Sequence, residues 1–569
     1  MFQHPPTKKL TNDILEEAAN YSLKNRVEPI GLKGYQTYLK TGDRLPFEHQ
    51  YFARRKQLNV LALDVLIRNN DESIPLLEEV MFQICNEYSW ALPAHIPLMD
   101  HSFSKESKTI IDLFAAETAQ ALAEIVELIG AQLSDFIKQR IYEEIDIRIF
   151  IPFEEKDWHW ERLRNNWSSV IAGSIGLAAL SILPLHSERQ KQILNRLQIS
   201  FDHYLEGFKE DGVCVEGVDY WAYGFGYYCY FAEKYTRLYH DDRYIRDQKI
   251  KSIAEFPFYS MIGENRYVPY SDTSNHSELP SGLLCYCQKT FDVAIPPVAE
   301  ATSLDSDHCY RWAPMYRNLM WTTDASVTEA VKASRHYFPD FEWLVIRDLE
   351  SRFIFSAKGG ANNESHNHND IGHFIIGDGL DLLLTDLGAG EYTRDYFGNK
   401  RYTFLPNRAL GHSLPLIQGK EQKEGEFQAQ NVHFKVMDEL TSEFSLELAK
   451  TYPEVKGLKS FHRKWIVNEQ EKCVLLDDVL QFNSAEQASV TENFVSLFEP
   501  MIVENRIVWR GNESELILDF DQNSDTPIIR EDAFFNHDGV ETKVYLTQLE
   551  NKKKRCQYIL RYAFKLHEL

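Results

Sequence analysis

The periodicity of apolar residues changes once along this chain, near residues 333–339, and that change limits what the chain can fold into. Before it the spacing is helical. Leu122, Ile125, Val126 and Ile129 fall at i, i+3, i+4 and i+7, with Gly130 placed as a C-terminal stop. Leu58, Leu61, Val65 and Leu66 give a similar stripe, Asp71-Glu72-Ser73 punctuates it, and the next helix starts at Ile74. Residues 167–182 are apolar nearly all round, the pattern of a helix buried on both sides. Helix follows helix with short polar turns and no fixed-period repeat, which predicts an array of α-hairpins. After the change, Phe341, Trp343 and Val345 alternate with polar residues, as do Phe353 and Phe355. Later runs at 464–467, 473–480, 506–509 and 515–520 are short, β-branched or aromatic, and bounded by Asn, Gly and Asp. Strand after strand without helices predicts an antiparallel β-sandwich. The expected organisation is a helical domain over residues 1–332 and a sandwich over 333–569, with a crevice between domains as the default place for a site.

Bulk properties exclude several functions. A chain of 569 residues exceeds one ordinary core, consistent with two domains. The net charge of −24 argues against a nucleic-acid partner, because a phosphate backbone needs a basic surface. No uninterrupted apolar run reaches membrane-spanning length. The N-terminus Met1-Phe2-Gln3-His4-Pro5-Pro6 has neither a basic region nor an apolar one, so a cytoplasmic protein is expected unless a leader has been removed. The 8 cysteines lack the spacing of a disulfide framework, and the close pair Cys285 and Cys287 has no second pair to complete a zinc site. Homo-oligomers are common at this size.

Polar residues of chemical interest concentrate in three places. Glu364-Ser365-His366-Asn367-His368-Asn369-Asp370 precedes a short strand at 374–376, and the next strand, 380–384, delivers Asp386 at its end. A loop rich in Gly, Tyr and Arg then leads to His412. In extended chain two His at i, i+2 point to opposite faces and have different jobs. One His with Asp386 and His412 makes a divalent-metal set, since imidazole nitrogen and carboxylate oxygen suit zinc. The other His is then free for acid–base work. The second concentration, 157–167, is rich in Trp and Arg and carries Asn165-Asn166, most simply N-caps of the buried helix. The third is Glu216-Gly217-Val218-Asp219-Tyr220-Trp221-Ala222-Tyr223-Gly224-Phe225-Gly226-Tyr227-Tyr228. Here Tyr220, Tyr223 and Tyr227 share a helical face, and Gly224 and Gly226 are expected to interrupt the helix where a ligand approaches. Arg394, Arg401 and Arg408 are either binders of anionic groups or surface partners for the surplus of acids, and His373 reads as a structural His.

Taken in order, Asn-Asn-Trp, Glu-Gly-Val-x-Tyr-Trp-x-Tyr-Gly, His-Asn-His-Asn-Asp, Asp386, Arg401-Tyr402 and Gly411-His412-Ser413 resemble the heparinase II/III-like polysaccharide lyases. The resemblance implies an incomplete (α/α) toroid followed by an antiparallel β-sandwich. It implies a catalytic role for His366 and metal ligation, usually zinc with a mainly structural role, by His368, Asp386 and His412. Tyr223 matches the catalytic Tyr, with Tyr227 in reserve. Asn166 falls where the family carries Asn or His, with Asn165 as the alternative register, and Tyr402 resembles a further cleft Tyr beside Arg401.

The chemistry implied is β-elimination on a uronate-containing polysaccharide or oligosaccharide. Removing the proton at C5 builds negative charge on the carboxylate, which the Asn166 amide is expected to stabilise. Tyr223, its pKa lowered by its surroundings, is expected to take that proton and return it to the leaving O4. Without a His at 165 or 166, and with His159 too far back, syn elimination on glucuronate-type units is expected. The alternatives are a C5-uronate epimerase, a zinc-dependent glycan hydrolase with Glu364 as base, and a sugar-binding protein without activity. Without a visible leader, short imported oligosaccharides and exo action are expected.

Overall fold

A computed structural model describes the chain except residues 1–4, 23, 70, 275, 324–332, 394, 485–488, 521–524 and 552–553. The division expected after residue 332 falls at the edge of one of these stretches. By compactness the chain forms a helical unit, Met1–Phe208, Tyr220–Ala254 and Glu278–Thr328, and a strand-rich unit, Lys209–Asp219, Glu255–Ser277 and Glu329–Leu569. Two segments of the helical half of the sequence therefore belong to the strand-rich unit.

In the helical unit, α1 (Leu45–Arg68), α2 (Leu113–Ile129), α3 (Asn166–Ile182), α4 (Glu188–Glu206), α5 (Val218–Tyr239) and α6 (Trp312–Trp321) matter most for the site. Side chains hold their starts. Asp112 Oδ1 accepts from Ala115 N at 2.7 Å, and Asn165 Oδ1 accepts from Trp167 N at 3.2 Å. Helix α3 is buried almost throughout, as its all-round apolarity requires. Its glycines are packing residues: a Cβ at Gly173 would stand 2.7 Å from the Tyr227 carbonyl oxygen, and one at Gly176 would stand 2.5 Å from the Phe231 ring. Close approach of α3 to α5 is thus built into the sequence. Contrary to expectation, α5 runs unbroken through Gly224 and Gly226, and Gly224 makes room for the Tyr204 side chain of α4, whose hydroxyl lies 2.8 Å from where a Cβ would be.

In the strand-rich unit every pairing is antiparallel. A five-stranded sheet runs in order β1 (Ala333–Phe338), β2 (Trp343–Asp348), β3 (Phe353–Lys358), β4 (Phe374–Gly377) and β5 (Leu382–Leu384). An eight-stranded sheet lies opposite it, and the core between them includes Phe355, Phe374, Phe444, Trp465 and Phe564, all fully buried. A four-stranded sheet completes the sandwich. Short strands at Met261–Gly263 and Arg266–Tyr267, in the half read as helical, belong to this unit as well.

Arg463 occupies an inward position of its strand among these apolar residues and is fully buried. Its guanidinium binds Asp478 and Glu492 and donates to the carbonyls of Gly372 at 3.0 Å and Ser413 at 2.9 Å. Those carbonyls belong to the two loops that carry His368 and His412. Removing one partner of a buried ion cluster leaves uncompensated charge, so Arg463→Met is expected to destabilise the protein by about 3–5 kcal/mol. The check is the unfolding midpoint in denaturant, set against the wild type.

Candidate active site and metal centre

The His366–His368 segment is not extended. His366 has a left-handed backbone (φ 53°), and both imidazoles turn to one carboxylate, that of Asp272. The two His therefore converge instead of pointing to opposite faces. Asp272 lies at 2.6 Å from His366 Nδ1 and 3.0 Å from His368 Nε2. It also accepts from the Tyr396 hydroxyl at 2.5 Å and from Arg401 Nη2 at 3.1 and 3.2 Å. Burial alone would raise the pKa of Asp272, but its hydrogen bonds to His366 and His368 outweigh that and hold it well below the usual carboxylate range. His366 Nε2 lies 4.0 Å from Glu216 Oε1. Burial disfavours the imidazolium of His366, yet the Asp272 bond and the Glu216 charge prevail and raise its pKa. Glu216 is fixed by the Ser365 hydroxyl, which donates to it at 2.6 Å. The next residue must be glycine: Gly217 has φ 97°, and a Cβ there would stand 1.4 Å from Thr273 Oγ1, beside Asp272.

Arg401 is committed within this cluster, donating also to the Asn367 carbonyl at 3.2 Å and stacking on Tyr396 at 4.7 Å. The Tyr402 hydroxyl accepts from Asn367 Nδ2 at 3.2 Å. Arg408 forms an ion pair with Glu421. Arg394 lies outside the described residues.

His368, Asp370, Asp386 and His412 form a second, sealed cluster, with one ligand atom of each within 4.8 Å of the others. None of the four is more than 1% exposed. Their hydrogen bonds fix which atoms face inward. His368 Nε2 is bound to the Asp272 carboxylate and His412 Nε2 to the Pro406 carbonyl at 3.0 Å, so these nitrogens carry the protons and each Nδ1 keeps its lone pair. Asp386 Oδ1 is taken by Gly388 N at 2.9 Å, which leaves Oδ2 facing His412 Nδ1 at 3.3 Å. Among the described residues, neither atom, nor His368 Nδ1, has a hydrogen-bond partner. Buried lone pairs set against one another repel unless a cation lies among them, so the residues fit a metal ion. Burial pushes the Asp386 pKa up, but the imidazoles around it, His412 first, prevail and keep it an anion. Asp370 is held by Lys358 at 2.8 Å. His373 accepts from Ser413 N at its Nδ1 (2.9 Å), so its Nε2 carries the proton, 3.5 Å from Asp386 Oδ2. It therefore serves Asp386 as an outer partner and not as a ligand.

In the helical unit, α3 and α5, the helices that carry Asn166 and Tyr223, pack closely on one another. The Ser169 hydroxyl, one turn after Asn166, donates to the carbonyl of Gly224 at 2.7 Å. Asn165 is the cap; Asn166 is 4% exposed, and its amide has no hydrogen-bond partner among the described residues. Tyr227 is 2% exposed, whereas Tyr223 is half-buried. Neither hydroxyl forms a hydrogen bond of good geometry, although the Glu117 carboxylate lies beside both. Arg311 binds Glu117 at 3.0 Å and covers the Tyr223 ring at 4.1 Å. The expected lowering of the Tyr223 pKa is not met: burial first, then the Glu117 charge, raise it well above the ordinary phenol value, and Arg311 opposes them only in part.

Sequence reasoning missed Asp272, which sits in Tyr270-Ser271-Asp272-Thr273-Ser274 with neither periodicity nor a neighbouring motif to mark it. It left Glu216 and Asp370 without roles, although both lie inside motifs it singled out.

No family model and no curated protein matches the sequence. Solved structures do match. The heparan sulfate lyase HepC of Pedobacter heparinus superposes with a TM-score of 0.63 at 12% identity, over 100% of this chain and 84% of that one. A heparinase III structure gives 0.63 at 12%, over 98% and 89%. A xanthan lyase of Paenibacillus gives 0.55 at 12%, and this chain spans 57% of its length. The chain has the fold of the heparinase II/III-like polysaccharide lyases, an (α/α) toroid followed by an antiparallel β-sandwich.

Proposed function

We propose that the protein is a lyase that cleaves uronate-containing polysaccharides or oligosaccharides by syn β-elimination, with glucuronate-type units preferred. The observation that carries this reading is the presence, on two closely packed helices, of an amide without a partner among the described residues at Asn166 and a half-buried tyrosine at 223. Asn166 donates to the substrate carboxylate and stabilises the charge that builds there as C5 loses its proton. Tyr223, ionised at the start of the step, takes that proton and becomes a phenol. The C5–H electrons form the C4–C5 double bond, the C4–O4 bond breaks, and the phenol returns the proton to O4. His366 assists as an imidazolium held by Asp272. The HepC and xanthan lyase structures, which this chain resembles in fold, are those of lyases.

The metal in this reading is a single zinc ion held by His368, Asp386 and His412, with Asp370 beside them. A sealed ligand set leaves no position for a substrate or a reacting water, which supports a structural role and speaks against the hydrolase alternative. What the ion supplies is a fixed His368, and through Asp272 a fixed His366.

Glu117 raises the Tyr223 pKa, so removing its charge lowers it. Glu117→Gln is expected to move the rising limb of kcat/KM, which reports the free enzyme's essential base, to lower pH. A limb that stays in place would remove Tyr223 from the base role. Preference for iduronate over glucuronate chains would contradict the syn assignment.

A further inference from the structure

Asn166 and Tyr223 belong to a longer wall of the helical unit that the reaction chemistry does not use. His95 stands at the end of a short turn, Pro93–His95, and its ring meets the indole of Trp167 at 5.0 Å. Trp167 follows Asn166 directly, is half-buried, and its indole N–H has no partner among the described residues. The exposed His159 stands 6.1 Å from the same indole. The wall continues from His95 to Phe114 (5.9 Å), from Phe114 to the Arg311 guanidinium (5.7 Å), and from Arg311 to the Tyr223 ring (4.1 Å).

His95 is held in a fixed orientation. Its Nδ1 lies 2.8 Å from Asp112 Oδ2, and Asp112 is anchored by Leu92 N at 3.2 Å and Ala115 N at 2.7 Å. In the neutral ring Nδ1 therefore carries the proton, and Nε2 is an acceptor without a partner among the described residues. The His95 side chain is 16% exposed, and that of Asp112 only 1%. Capping of α2 needs Asp112 but not His95. An accessible indole beside an oriented acceptor is what a pyranose ring needs: an apolar face to lie on and a partner for one hydroxyl or amide N–H.

We propose that Trp167 and His95 form a sugar subsite that binds a pyranose neighbouring the cleaved uronate, stacked on the indole and donating a hydroxyl or amide hydrogen to His95 Nε2. This rests on the lyase reading for the identity of the chain, though not for the stacking itself. An acceptor at this point favours a unit bearing a free hydroxyl or an acylamino group there, and disfavours a sulfate ester in the same position, which brings no hydrogen to donate.

The test uses the full-length protein and hexasaccharides of heparosan, hyaluronan and chondroitin. On whichever is cleaved, Trp167→Ala is expected to raise KM about tenfold with kcat changed by less than about twofold, the worth of one aromatic contact. Trp167→Phe is expected to restore most of the loss, and His95→Gln to raise KM by about threefold to tenfold, the worth of one hydrogen bond. Equal unfolding midpoints for variants and wild type exclude a folding cause. An unchanged KM in Trp167→Ala would overturn the subsite while leaving the lyase reading intact. If the wild type cleaves none of the three, calorimetric titration with the same hexasaccharides decides. Binding that is weakened by Trp167→Ala upholds the subsite although the lyase reading fails; no binding, or binding that Trp167→Ala leaves unchanged, overturns the subsite.

Discussion

Tyr223→Phe is expected to lower kcat by about 10²–10⁴, the worth of a positioned acid–base group, with substrate binding and folding retained. The substitution removes one oxygen. That oxygen is buried and makes no hydrogen bond of good geometry, so its loss leaves no protein donor or acceptor unsatisfied, and the unfolding midpoint is expected to stay put or rise slightly. The ring itself remains under the Arg311 guanidinium. Tyr227→Phe is the matched control. Tyr227 lies one helical turn on and is also near Glu117, but it is 2% exposed, whereas Tyr223 is half-buried. Steady-state kinetics and thermal unfolding on both variants separate the roles: a large fall in kcat for position 223 and a small one for 227. Equal falls would show that the phenols act through packing, and a large fall only at 227 would transfer the catalytic role there.

Asp272→Asn is expected to have the next largest effect. The carboxylate gathers His366, His368, Tyr396 and Arg401. An amide of the same shape offers one acceptor oxygen and two donor hydrogens. It cannot serve both imidazoles, so His366 loses the orientation and proton position that the carboxylate imposes. A buried Asp holding a catalytic His in a fixed tautomer is worth up to about 10⁴ in kcat where it has been removed, and about 10²–10⁴ is expected here. His368 loses its outer partner too, so metal affinity is expected to fall about 10–100-fold. Kinetics alongside metal analysis after dialysis tests both halves. A variant with normal kcat and reduced metal content would make Asp272 a support for the ion only. A loss of kcat with KM preserved at saturating zinc would assign it the positioning of His366.

Much of the scaffold was legible. The stripe Leu122, Ile125, Val126 and Ile129 lies in Leu113–Ile129, capped at Gly130 as its spacing predicted. The alternation at Trp343–Asp348 and Phe353–Lys358 and the runs at Cys473–Phe482 and Arg506–Arg510 are strands. These patterns are set by burial of one face, which a single sequence records. The misreadings share a cause: they concern contacts between segments far apart in the chain. Gly224 was read as a helix break because the Tyr204 ring that fills the space comes from another helix. The opposite-face argument for His366 and His368 assumed extended chain, whereas a left-handed residue and a shared carboxylate 94 residues away decide their directions. The Tyr223 environment failed for the same reason, since Glu117 and Arg311 lie on other helices of the unit.

The most direct measurement is the ultraviolet absorbance of the protein incubated with glucuronate-, iduronate- and alginate-type chains, followed over time beside a reducing-end assay. Elimination creates a C4–C5 double bond conjugated to the carboxylate, which hydrolysis and epimerisation do not. The account predicts that absorbance and reducing ends rise together on a glucuronate-type chain, and that Tyr223→Phe abolishes both. Reducing ends that rise while absorbance stays flat would contradict it and assign the protein to the hydrolases.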